Sequence, residues 1–282
     1  MTDVRLLEQY EDDKRLLVRK FCHKHYSISD VDTQYEVIRR IGNASSVLDI
    51  GCGSGDLLVK LRTIGYKGKL KGIDKYNIVN VGARNIQELG MDIEMEQMDV
   101  ENQTETNKWD VGTMVSILCL TPKFLDIIKR YSQICSRLII VDVASGGFPR
   151  LNRLIPDKIE QKFKTKMTTR EIGFNMQDTL TEMTKYYETI HFQRLDDAFK
   201  FKTADELVQY FETNDKGGWH PEPSQDIWND ILTYVKSIAQ EEIDEKGFWL
   251  EPKPYFVITA ENPIENVIPY TSYVHRCDGI KV

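Results

Sequence analysis

The chain has 282 residues, 41% of them hydrophobic and 29% charged, with a formal charge of −7 at pH 7. Such a chain folds as one large domain, or one domain with additions, and buries its core without disulfide or metal staples. The acidic balance excludes a general nucleic-acid binder, which needs clustered Lys and Arg. Five singly scattered cysteines (Cys22, Cys52, Cys119, Cys135 and Cys277) contain no C-x-x-C pair, which fits reduced thiols and provides no metal framework.

In chain order, residues 1–43 read as helices, with Val4, Leu7 and Tyr10, then Leu17 and Phe21, then Val31, Tyr35, Ile38 and Ile41 at helical spacing. The acids Glu8, Glu11, Asp12 and Asp13 argue against a signal peptide. Val47-Leu48-Asp49-Ile50 is a strand ending in a glycine cluster, followed by Leu57, Leu58, Leu61 and Ile64 at helical spacing. Lys69–Ile73 is a second strand, Ile78–Leu89 a helix closed by Gly90, and Ile93–Met98 a third strand. Asp110–Leu120 is an almost continuous apolar run that reads as a buried central strand. Thr121-Pro122 reads as an N-cap and first helical position ahead of Phe124, Ile127, Ile128 and Tyr131. Arg137–Val143 is a fifth strand, and residues 146–185 a polar, basic connection. Tyr187–Leu195 reads as a sixth strand, Thr203-Ala204-Asp205-Glu206 as a capping box, Ile227, Ile231, Val235 and Ile238 as one helical face, and Tyr255–Ala260 as the last strand.

Strands alternating with helices predict an α/β fold, a Rossmann-like seven-stranded, mostly parallel sheet covered on both faces. The expected organisation is an N-terminal helical cap (1–43), a core (44–145), a lid insert after strand five (146–186), the C-terminal part of the sheet (187–262) and a tail (263–282). The longest apolar stretches fall far short of the ~20 residues that span a bilayer, so a soluble, cytoplasmic protein without a membrane partner is expected.

The chemistry concentrates in Asp49-Ile50-Gly51-Cys52-Gly53-Ser54-Gly55-Asp56 and in Gly72-Ile73-Asp74. Glycines after a first strand let a ligand approach the backbone, and the helix that follows offers its positive end. An acid at the end of strand two suits ribose hydroxyls. A dinucleotide fingerprint wants a small residue where Asp56 stands, which disfavours a pyrophosphate and a nicotinamide dehydrogenase. A cationic ligand suits Asp49 far better.

These residues resemble the first motif of the class I S-adenosylmethionine-dependent methyltransferases, in particular the small-molecule branch. The resemblance implies S-adenosyl-L-methionine as cofactor, with Gly51 and Gly53 flanking its methionine part, Asp74 at the ribose, and Cys52 and Lys75 among the cofactor contacts. It also implies Asp99 and Val100 of Met98-Asp99-Val100 at the adenine. Trp109-Asp110-Val111 through Ser116-Ile117-Leu118 resembles the fourth-strand motif, with Ser116 and its neighbours Val115 to Leu118 bordering the transferred methyl. The chain departs from the family pattern in Gln133-Ile134-Cys135-Ser136, which lacks Pro-Gly-Gly, and in Cys119, where His is common. No Asn-Pro-Pro-Tyr motif is present, which points away from adenine or glutamine methylation.

The implied reaction is methyl transfer to a small-molecule O or N acceptor. Because the leaving group is already activated, no residue is forced to act as a base. Candidates for that role, or for an acceptor contact, are His25 and Tyr26 after the first helix and His191 in the sixth strand. For each of the three, an ordinary solvated or strand position is the simpler reading. A metal site is not expected, because His23 and His25 lack a third ligand. Trp219 could stack on a planar substrate, although packing of its loop explains it as well. Seven Lys or Arg between Arg150 and Arg170 either solvate a helix face, the simpler reading, or form a mobile lid favouring an anionic substrate or a contact for RNA. An RNA or protein methyltransferase, or a cofactor-binding protein without turnover, is the alternative.

Overall fold

Five strands of shared direction, most of them buried on both faces, set up the molecule's main layer. The computed structural model describes residues 13–29, 32–102, 105–121, 123–143, 149–164, 166, 168–169, 176–213 and 219–264. Val4, Leu7, Glu8, Tyr10, Glu11, Asp12, Val31, Pro122, Arg170 and Cys277, named above, lie outside the described residues. Helices α1 (Asp13–Tyr26) and α2 (Thr33–Ile41) lead into β1 (Ser46–Ile50), α3 (Asp56–Thr63), β2 (Lys69–Asp74), α4 (Ile78–Glu88), β3 (Glu94–Gln97) and β4 (Trp109–Val115). A 3-10 turn at Leu118–Leu120, α5 (Phe124–Ser132), β5 (Cys135–Val143), α6 (Pro149–Phe163), β6 (Thr168–Thr169) and α7 (Met176–Met183) follow. Then come β7 (Tyr187–Leu195), β8 (Ala198–Phe201), α8 (Ala204–Glu212), β9 (Trp219–His220), α9 (Gln225–Lys246), β10 (Trp249–Pro252) and β11 (Tyr255–Pro263).

The main sheet has seven strands in the order β3-β2-β1-β4-β5-β11-β7. The first five are parallel, and β11 runs antiparallel to both neighbours. The period-2 alternation of strand side chains divides the core in two. Leu48, Ile50, Ile140 and Ile258 face Ile127, Ile128 and Tyr131 of α5. Val47, Val111, Ile139 and Val257 face Val37 and Ile41 of α2 and Leu57, Leu58 and Leu61 of α3. The strand order reverses between β1 and β4, and the crevice at such a switch point is where open α/β sheets bind ligands.

A second core lies outside this sheet. Cys22 of α1, Leu151, Ile155 and Ile159 of α6, Phe199 and Phe201 of β8, Leu207 and Phe211 of α8, Ile231 and Val235 of α9 and Trp249 of β10 are all buried in it. The β8 and β10 strands pair antiparallel, Phe201 opposite Trp249. Of the segment 187–262, only β7 and β11 join the seven-stranded sheet. The connection at 146–185 contains α6, whose apolar face enters the second core, and α7, whose Met183 enters the first.

Several boundaries differ from the sequence expectation, among them β5, which starts at Cys135 instead of Arg137. The β4 strand ends at Val115, not Leu120, because Ser116 adopts φ 55°, a left-handed conformation that no strand accommodates. The α5 helix starts at Phe124, not beside Thr121, whose hydroxyl instead accepts from the Lys123 amide at 3.2 Å. The last strand continues beyond Ala260 to Pro263, held by pairing with both β5 and β7. Among the described residues no helix is long and apolar enough to cross a membrane.

Candidate functional site

The site begins where β1 ends. Gly51 and Gly53 take φ 74° and 55°, in the region that favours glycine. The amides of Gly51 and Cys52 both donate to the Ile73 carbonyl, at 2.8 and 3.1 Å, which ties the turn to the end of β2. A Cβ on Gly51 would lie 2.3 Å from Ile117 Cδ1, so two walls of the site meet there in van der Waals contact. At Gly53 a Cβ would meet nothing within 4 Å, because that residue borders open space.

This space is a cavity of about 290 Å³ at the C-terminal ends of β1, β2 and β4. Every cofactor position expected from the sequence lines it: Asp49, Gly51, Cys52, Gly53, Asp74, Lys75, Asp99, Val100 and Ser116. Lys20 of α1, Gln34 of α2, Tyr76, Ile78, Ile117, Leu120 and Thr121 line it too. Sequence reasoning did not reach Lys20 or Gln34, since no local pattern says where the first two helices lie against a turn formed later in the chain. Lys20 Nζ reaches Ser54 Oγ at 3.2 Å and the Asp56 carboxylate at 2.5 Å.

The three strand-end acids differ in environment. Asp49 is 3% exposed and accepts from the Thr113 hydroxyl at 2.7 Å. Burial pushes its pKa up to about 7, and the charges of Asp74 and Asp56 add to the rise. Asp74 accepts the Gly53 amide on one oxygen at 2.8 Å and the Tyr76 amide on the other at 2.9 Å. Burial raises its pKa, and these amides only partly offset that. At Asp99, burial is outweighed by the Glu101 amide, the Asn102 side chain and Lys75, which hold the carboxyl below the usual range. Asp99 meets the Asn102 amide group at 2.8 Å and Lys75 Nζ at 3.4 Å.

The structure does not bring the three candidate bases to this cavity. His25 is exposed, its Nδ1 2.9 Å from the Phe21 carbonyl and its ring stacked on Phe21 at 4.0 Å. Tyr26 packs 5.1 Å from the Phe201 ring in the second core. His191 stands on the outer strand β7 with its side chain 68% exposed, 3.9 Å from Glu261. The histidine of α1 that turns inward is His23. Its Nδ1 lies 3.1 Å from Lys253 Nζ and 3.2 Å from the Tyr255 hydroxyl. Burial first, and then the charge of Lys253, push its pKa down to about 3, so the ring is neutral and fastens α1 to β11 and the connection that precedes it.

Three basic residues of the segment are engaged within the molecule. The Arg150 guanidinium lies over the Trp249 ring at 3.9 Å and pairs with Glu242 at 2.6 Å. Lys162 pairs with Asp230 at 2.8 Å, and Lys158 sits 5.3 Å over Tyr234. Trp219 is buried in the second core, where packing accounts for it.

A parallel sheet that reverses between β1 and β4, with a glycine turn and acids at three strand ends, defines a nucleoside-binding fold of the Rossmann-like class. A family model described as a methyltransferase domain matches residues 41–214. The chain belongs to that family, the class I S-adenosylmethionine-dependent methyltransferases, with S-adenosylmethionine as cofactor. The structure is similar to the YcgJ protein of Bacillus subtilis (TM-score 0.56, 14% identity, 82% of this chain and 98% of that one). It is also similar to phosphoethanolamine N-methyltransferase 2 of Haemonchus contortus, solved with phosphomonomethylethanolamine and S-adenosylhomocysteine (TM-score 0.53, 13% identity, 88% of this chain and 57% of that one). Likeness at these identities establishes the fold. No curated protein matches the sequence.

Proposed function

We propose that the chain methylates a small-molecule O or N acceptor and holds S-adenosylmethionine in the cavity at the ends of β1, β2 and β4. The cofactor supplies an activated methyl group, so the protein's task is to bind, orient and exclude water. The observation that carries the reading is the set of three acids around one cavity beside a glycine turn left open at Gly53. Asp49 receives the cationic methionine end, since burial without a matched cation leaves its carboxylate able to accept an ammonium. Asp74 keeps acceptor capacity for a ribose hydroxyl beyond the amides of Gly53, Tyr76 and Lys75, because a carboxylate has about four acceptor sites. Lys75, Asp99 and Val100 take the adenine end, while Gly51, Cys52 and Ser116 border the sulfur and methyl. Lys20 supplies a cation at the glycine turn, suited to the α-carboxylate.

A small acceptor is favoured over RNA because Arg150, Lys158 and Lys162 are engaged against α9 and β10. The Haemonchus contortus enzyme, which shares the fold, was solved with a small amino-alcohol phosphate. The test is calorimetric titration with S-adenosylmethionine, S-adenosylhomocysteine and NAD, followed by small alcohols, phenols and amines as acceptors. Binding of the first two without NAD is expected. Binding of neither by protein stripped of carried-over ligand would overturn the cofactor assignment, and methylation of RNA alone would overturn the acceptor class.

A further inference from the structure

The wall between the cavity and the end of β5 is an irregular segment held under tension. Ser116 has φ 55°, a conformation that a non-glycine residue keeps only where its surroundings enforce it. What enforces it is β5. The Ser116 amide donates to the Val141 carbonyl at 2.8 Å, and the Cys119 amide donates to the Asp142 carboxylate at 3.1 Å. The other oxygen of Asp142 accepts the Val143 amide at 2.8 Å. The Leu118 amide also points at this carboxylate. Asp142 is 0% exposed, and it faces amide donors on both sides. The segment between these two anchors carries Ile117, whose Cδ1 reaches the Cα of the glycine turn so closely that Gly51 has no room for a Cβ.

We propose that Asp142 is a positioning residue, which through this turn sets Ile117 as the wall against the transferred methyl group. The inference rests on the cofactor orientation given above, with Ser116 and Ile117 at the sulfur end. Asparagine at position 142 would keep an acceptor for one set of amides and present its own N–H₂ to the other, so one anchor is lost. The wall then relaxes, and the ligand that carries the methyl loses more than the ligand that lacks it.

The readout is the ratio of affinities for S-adenosylmethionine and S-adenosylhomocysteine by calorimetry, which needs no acceptor. In Asp142→Asn the first is expected to weaken roughly fourfold more than the second, the worth of one buried methyl. Ile117→Ala is expected to shift the ratio in the same direction. Equal weakening of both ligands would mean that Asp142 only supports the fold, and an unchanged ratio in Ile117→Ala would remove the wall. Either result leaves the cofactor assignment standing and overturns this one. Failure of the wild-type chain to bind either ligand would overturn both. Thermal melts verify folding, and if Asp142→Asn does not fold, Ile117→Val, which removes one methylene and no polar group, decides by the same ratio.

Discussion

Asp49 combines two properties that rarely coexist, deep burial and a carboxyl whose neighbouring charges, Asp74 and Asp56, are of its own sign. With its pKa near 7, the free protein carries a substantial fraction of protonated Asp49 at neutral pH. A cation bound there draws the pKa down, so binding expels a proton. Affinity for S-adenosylmethionine is therefore expected to fall as pH drops below 7, by up to about tenfold per unit, and Asp49→Asn to flatten that dependence. Calorimetry in buffers of different ionisation enthalpy detects the released proton; heats independent of buffer would count against the assignment. Asp74→Ala is expected to cost about 1–3 kcal/mol of cofactor affinity, and Gly53→Val to abolish binding, by blocking the open side of the turn and straining a left-handed residue. The acids and glycines were legible in the sequence because each sits at a fixed step after an apolar strand. Lys20, Gln34 and the inward-facing His23 were not, because their roles depend on how α1 and α2 pack against turns and strands formed later.

Helix α6 shows what a local reading of charge leaves out. Seven basic residues in a run look like a patch, yet Arg150, Lys158 and Lys162 are matched by acids and rings of α9 and β10 that lie about 70–100 positions downstream. The start of α6 is held by Glu251, which accepts the Arg150 amide at 2.8 Å and the Trp249 indole N–H at 2.9 Å. Burial pushes Glu251 up to about 7, from an ordinary value near 4.5. An acid whose folded pKa is raised contributes stability that is fully present below its unfolded pKa and is lost as pH rises through the folded one. Urea unfolding at pH 5 and pH 8 should thus show wild type losing stability relative to Glu251→Gln across that interval. A constant difference would mean Glu251 has no such shift. By contrast, α8 was fully legible. The Thr203 hydroxyl accepts the Glu206 amide and Glu206 returns to the Thr203 amide at 3.0 Å, a reciprocal pair written in four adjacent residues. Thr203→Ala is expected to cost about 1 kcal/mol in the same unfolding assay.

Two cores share one molecule, and α1 touches both the site and the second core, with Lys20 at the glycine turn and Cys22 among the aromatic residues of the lobe. The seven-stranded sheet could be read because its apolar strands alternate with helices along the chain. The lobe could not, because β8 and β10 are four residues each, lie almost 50 positions apart, and are recognisable only once paired. Ile231→Ala in its centre is expected to lower global stability by about 2–5 kcal/mol while leaving cofactor affinity within twofold, as read by urea melts and calorimetry. A large loss of affinity would show that the lobe and the site act as one unit.

The position of β11 also bears on how the molecule is made. It lies between β5 and β7 and bonds to both, although its residues follow β5 by more than a hundred positions. As the chain leaves the ribosome, β1 to β5 can zip together in order, but β7 has no partner to receive it and β5 keeps an open edge. Both wait for Tyr255–Pro263 to emerge. The cofactor half can thus be assembled early, whereas the sheet closes only once β11 has emerged. During that interval, premature strand pairing between nascent copies is the hazard that chaperones must meet.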